Sequence, residues 1–142
     1  MIYTLITNIS AVLNGIANLK KVYMYPIGQD QRIEKYPAAI CIQDSFDNSF
    51  ESTSENRKHY RFKLWIVIGC EKDTVANVFA DALPKTVDAV VAAFDTAWNG
   101  GTISGHRVRY LISNGSATLS ENENAREATA ELTVDIQVLT NL

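Results

Sequence analysis

Four residues carry the side chains best suited to chemistry: His59, His106, Cys41 and Cys70. A general base or nucleophile must be held against a carboxylate or a reacting partner. A metal site needs ligand spacings such as HExxH, CxxC or HxH. None of these spacings occurs, and each histidine sits in a strand-like run among basic residues rather than beside an acid. Gly100-Gly101 and Gly105 lack the spacing of a dinucleotide or phosphate loop. Cys41 and Cys70 lie at or just after the apolar runs 38–42 and 64–68. They read as two small buried or half-buried thiols of a reducing compartment, not as a disulfide framework. A reactive Cys–His pair assembled in space would need an electropositive setting that the sequence does not indicate. The expectation is a protein that is not an enzyme and uses no cofactor and no metal.

Charge on strand faces is more informative. Residues 57–69 alternate, with Tyr60, Phe62, Leu64, Ile66 and Ile68 on one side and Arg57, His59, Arg61 and Lys63 on the other. Trp65 and Val67 turn the second side apolar towards the end, so that half is expected to be covered on both faces. Residues 107–113 offer Arg107 and Arg109 opposite Val108, Tyr110 and Ile112. Residues 128–138 place Ala128, Ala130, Leu132, Val134, Ile136 and Val138 on one face, with Glu131 and Asp135, preceded by Glu127, on the other. Arg57, Arg61 and Lys63 therefore either pair with acids across strands on a solvated sheet face or form a charged surface for another subunit or a channel. A nucleic-acid surface fits poorly, because the acids dilute the field and the net charge is −3.

Two segments look built for contact. Residues 44–56, DSFDNSFESTSEN, carry four acids and no base. That composition predicts an exposed loop or hairpin tip. Phe46 and Phe50, with Glu51 beside them, either touch a partner or pin the loop to its own domain. Residues 120–126 form a second, mostly acidic tip that includes Glu121 and Glu123.

The elements that must position these residues follow from periodicity. Ile2, Leu5, Ile6, Ile9, Val12, Leu13, Ile16 and Leu19 make a helical stripe over 2–20, with Lys20 and Lys21 at its C-terminal end. A short strand at 22–25 is stopped by Pro26. Tyr36-Pro37 leads into a strand at 38–43, where a missing N–H at the entrance costs little. A helix over 74–98, capped by Asp73 or Thr74, buries Val78, Phe79, Val90, Val91, Phe94 and Trp98. Pro84 either kinks it or starts a second helix, and Asn99-Gly100-Gly101 ends it. Asn114-Gly115 marks a bulge or a turn. A chain of 142 residues suits one domain. The expected fold is an α+β two-layer sandwich spanning 1–142: a mostly antiparallel or mixed β-sheet with two main helices packed on one face. Neither a signal peptide nor a membrane-spanning run is expected.

This layout resembles the tail terminator (tail completion) proteins of long-tailed bacteriophages. The resemblance rests on the apolar helix 2–20 and the Tyr36-Pro37-Ala38-Ala39-Ile40 strand entry. It rests equally on the polar segment 44–56 feeding the strand 57–69, and on the helix 74–98 followed by two final strands around an acidic tip. It implies a structural virion protein forming a ring, usually hexameric, at the head-proximal end of the tail tube. Such a ring ends tube polymerisation and offers a docking surface to the head–neck connector. The implied partners are further copies of the chain, the tail tube protein, the connector or neck protein and the tape measure protein, with DNA only in passage and no membrane. The implied location is the virion tail, with assembly in the host cytoplasm. The family has no catalytic residues to transfer. The contact residues expected from the segments above are Phe46, Phe50, Glu51, Arg57, Arg61, Lys63, Glu121 and Glu123. Alternatives are another neck, head-closure or tail-tube component, or, in a different class, a small-ligand or peptide-binding module or a small hydrolase with a cryptic nucleophile.

Overall fold

The structure is a computed structural model that describes residues 1–27, 33–52, 55–70, 75–121 and 126–141, with the side chains of 50–52, 55, 120, 121 and 141 left aside. It is a mixed α+β protein with six strands in one curled sheet and two main helices. Helix α1 (Ile2–Asn14) is followed by β1 (Lys21–Tyr23), β2 (Ala38–Ser52) and β3 (Glu55–Gly69). A helical turn, α2 (Val75–Asn77), and a π-helical turn (Val78–Ala82) lead into α3 (Leu83–Thr96). Strands β4 (Asn99–Ile103), β5 (His106–Glu121) and β6 (Arg126–Asn141) close the chain. The sheet order is β1-β2-β3-β6-β5-β4, with β1 parallel to β2 and every other pair antiparallel.

The alternation read at 57–69 and 128–138 sets the register of the two central strands. Phe62 faces Val134, Leu64 faces Leu132, Ile66 faces Ala130 and Ile68 faces Ala128. A one-residue slip would turn this whole set outward, so burial of one face holds the pairing. That face joins Leu5, Ile9 and Leu13 of α1 and Val78, Leu83, Val90 and Phe94 of the α2–α3 stretch in a single apolar cluster. Phe62 and Phe94 are among its largest fully buried side chains. Asn8 donates to the Tyr110 hydroxyl at 3.3 Å, tying α1 to β5.

Several boundaries depart from the sequence expectation. Helix α1 ends at Asn14, not at 20. The Gly15 N–H closes onto Ala11 and Val12, and the chain continues in i→i+3 turns, Ile16 to Leu13 and Leu19 to Ile16. Three-residue turns keep Ile16 and Leu19 on the side of the stripe, and both stay buried. The first strand lies at Lys21–Tyr23 rather than 22–25. Pro84 lies at the start of α3, the second of the two alternatives, although the chain is already helical before it. A π turn precedes α3, the Leu83 N–H bonds the Val78 carbonyl, and Pro84 sits in the first turn, where proline is best tolerated. Trp98, expected on the buried face, lies beyond the end of α3 and is half exposed.

The larger corrections concern the strands. Of the two alternatives for 44–56, the exposed hairpin holds and the loop does not, since residues 44–52 are strand. They continue β2, paired with β3 from Ser45↔Arg61 to Ser52↔Glu55. Asn114-Gly115 does not end β5. The strand passes through a bulge between Ile112 and Asn114 and runs on to Glu121. β4 was not expected at all. It forms a hairpin with β5 through a two-residue turn in which Ser104 (φ 51°) and Gly105 (φ 82°) both have positive φ, the geometry that matches strand twist.

Candidate functional site

The proportions of the strands show where the sheet is not covered by helices. Strands of 15 or 16 residues are about 50 Å long, whereas helices of 13 and 14 residues cover about 20 Å. Of the two hairpins, β2–β3 overhangs the core, with residues 43–49 exposed, while at β5–β6 the core runs on to Ile68 and Ala128 beside the tip. Their tips lie at opposite ends of the sheet, because Glu55 pairs with Asn141 at one end of β3 and Gly69 with Glu127 at the other.

On the β2–β3 ribbon Phe46 faces Tyr60 across the strands, and the rings stack with centroids 5.7 Å apart. Tyr60 is 5% exposed while Phe46 is 55% exposed. Phe46 thus pins its own ribbon with one ring face and keeps the rest open. Phe50 and Glu51 belong to the backbone of β2, and Glu121 to that of β5. Their side chains, and Glu123 altogether, lie outside the described residues.

The odd-numbered face of β3 carries charge pairs, as the alternation implied, but with a different distribution. Lys63 Nζ lies 3.0 Å from Glu131 on β6. Arg61 is directly opposite Asp135 on β6, yet its guanidinium bonds Asp47 on β2 at 2.6 Å. Asp135 instead lies 3.5 Å from His59. All three pairs are diagonal rather than directly opposite, within reach of long side chains. The hydrogen bond to Asp47, with the added fields of Asp135 and Asp44, raises the Arg61 pKa, and the hydrogen bond to Glu131 raises that of Lys63. These groups are solvated, so the pairs fix register and surface pattern more than they stabilise the fold. Arg57 also has interaction partners. Arg109 stacks over the Trp98 ring at 4.8 Å.

Towards the β5–β6 end this face becomes apolar and covered, as expected. Ala38 and Val67 face each other and are both buried. Tyr36 lies close over Gly69, where an added Cβ would come within 3.1 Å of its ring. Its hydroxyl donates to Glu127 at 2.9 Å.

A groove opens between α3 and the far half of β5. Its volume is about 510 Å³, and Leu83, Pro84, Val87 and Val91 line it against Gly115 and Ala117. Nothing in the sequence marked it. It exists because β5 continues past Asn114 and because Gly115 and Ala117 leave little side chain to fill the space.

The groups singled out for chemistry are placed as follows. Cys41 and Cys70 are buried and free. Burial pushes the Cys41 thiol up to about 12, so it stays protonated and is no nucleophile at neutral pH. His106 Nδ1 is bonded to the Thr140 hydroxyl. Among the described residues no group of three His, Cys, Asp or Glu is arranged to hold a metal ion, and no helix is long and apolar enough to cross a membrane. No protein-family model matches the chain, and no curated protein sequence matches it.

Proposed function

We propose that this chain is a structural assembly subunit, with no catalytic activity or cofactor, that forms the ring ending a phage tail tube and receiving the head–neck connector. In this reading the sheet and the two helices act as a rigid two-layer sandwich, and the two hairpins are its contact devices. The observation that supports the reading is the exposed β2–β3 ribbon, with the β5–β6 tip at the opposite end of the sheet. A ring subunit needs two different lateral patches that meet head to tail and close by rotation, and two distant hairpin ends supply different surfaces. The half-exposed Phe46 is the anchor of the first patch, flanked by Phe50, Glu51 and Arg57. Arg61 and Lys63 border it, and Glu121 and Glu123 belong to the second patch. The tail tube, connector and tape measure proteins are the further partners, and the virion tail is the location.

The test is oligomeric state. Light scattering and negative-stain imaging over a concentration series, with and without purified tail tube protein, are expected to show closed rings. A strict monomer under both conditions would sink the proposal. Replacing residues 49–57 by an asparagine–glycine turn shortens the first ribbon while keeping the Phe46–Tyr60 stack. Unchanged rings in that variant would remove the ribbon from the interface.

A further inference from the structure

Past Tyr110 the outer edge of β5 has no strand beside it among the described residues. β4 reaches only Asn99 opposite Arg109, and the Tyr110 N–H donates to the Trp98 carbonyl. From Leu111 to Ser120 this edge carries no charged residue and no proline. Those are two of the main devices that keep strand edges from pairing, and only the bulge after Ile112 remains.

The edge also forms one wall of the groove against α3. Six consecutive residues of β5, 112–117, line it. Side chains alternate between sheet faces except at the bulge after Ile112, so a run of six residues lining one groove includes stretches of backbone. β6 contributes just Ala130 and Leu132, both on the core face of the sheet. The α3 wall is apolar, and Asp88 is the one charged residue lining the groove. An open strand edge beside an apolar trough under a helix is the arrangement that accepts an added strand. Backbone hydrogen bonds supply affinity there, and alternate side chains supply specificity.

We propose that the β5 edge and α3 form a strand-addition site for an extended segment of a partner protein, with apolar side chains at alternate positions and a basic residue set against Asp88. A second copy of this chain fits the site less well. Neither of its open edges supplies that basic residue: β5 carries no charge from Leu111 to Ser120, and β2 carries Asp44, Asp47 and Glu51. The site is independent of ring formation, since it needs only one folded chain.

The probe is a capped nine-residue peptide alternating valine with threonine around a central lysine. It is compared with the same peptide carrying a central glutamate and with the lysine peptide N-methylated at alternate residues. Titrated into the full chain, the lysine peptide is expected to shift the backbone amide signals of 112–117 and the methyl signals of Val87 and Val91. The glutamate peptide is expected to bind about three- to tenfold more weakly, with that order reversed in Asp88→Lys. N-methylation is expected to weaken binding at least about tenfold. Three results would overturn the site as proposed. They are no shift of these amides at millimolar peptide, equal binding of the N-methylated peptide, or the same shifts produced by protein concentration alone, which would make a second copy the occupant.

Discussion

At the scale of single residues, burial decides chemistry here. Cys41 lies on the core face of β2 opposite Leu64, and desolvation raises its pKa from 9.0 to about 12. Native protein at pH 8 is therefore expected to leave Cys41 unmodified by a thiol-specific reagent and to expose it on unfolding, which mass spectrometry reads directly. The raised value also sets an alkaline limit. Below the unfolded pKa both states hold the proton and stability is unaffected. Between about 9 and about 12 only the unfolded chain releases it, so stability falls with rising pH by at most ~1.4 kcal/mol per unit from this group. Urea melts across that range, compared with Cys41→Ala, isolate it as a steeper fall in the wild type. Arg61 shows the opposite case of an exposed group. Arg61→Glu would set a carboxylate beside Asp47, Asp44 and Asp135. A lower melting temperature at low ionic strength, recovering towards wild type in high salt, is the expected signature. No change at low salt would mean that the charged face contributes nothing to the fold.

At the scale of elements, the interdependence of neighbours matters more than propensity. An added Cβ at Gly115 would lie 2.6 Å from Leu132 Cδ2, so the end of that leucine side chain must shift to admit one. Gly115→Val is expected to destabilise by about 1–3 kcal/mol through overpacking, measured as a shift of the urea midpoint. Phe94→Ala removes one of the largest buried side chains of α3 and is expected to cost about 3–5 kcal/mol. The π turn before α3 belongs to the same scale. Pro84 cannot donate a hydrogen bond, and the wider turn lets the helix run on while Val78 and Leu83 both remain buried.

At the scale of the whole molecule, the apolar core and the exposed end of the β2–β3 hairpin are separated in space. The core lies where helices and sheet overlap, and the β2–β3 ribbon extends past it. Exchanging 49–57 for a two-residue turn is thus expected to lower the melting temperature far less than Phe94→Ala, read in one calorimetric series. A larger effect from the ribbon would mean that it belongs to the core after all.

Much of this architecture was legible in the sequence, because burial on one face imposes a period that the residues must obey. The stripe Leu5, Ile9, Leu13, Ile16, Leu19 and the alternation from Tyr60 to Ile68 identified the buried faces correctly. The complementary charges of β3 and β6 were visible for the same reason. Where the core ends, the period carries less information. Residues 44–52 and 114–121 are mostly polar or small, so composition left loop or hairpin open for the first and bulge or turn for the second, and did not show how far the strands run. Their strand conformation is decided by backbone hydrogen bonds to partners far along the chain, and those bonds leave no mark on side-chain type. The same is true of β4, of Arg61 bonding Asp47 rather than Asp135, and of the groove beside β5. Local sequence determined which faces had to be buried. Only the tertiary pairing decided how far the strands ran, which charges met and which edge was left open.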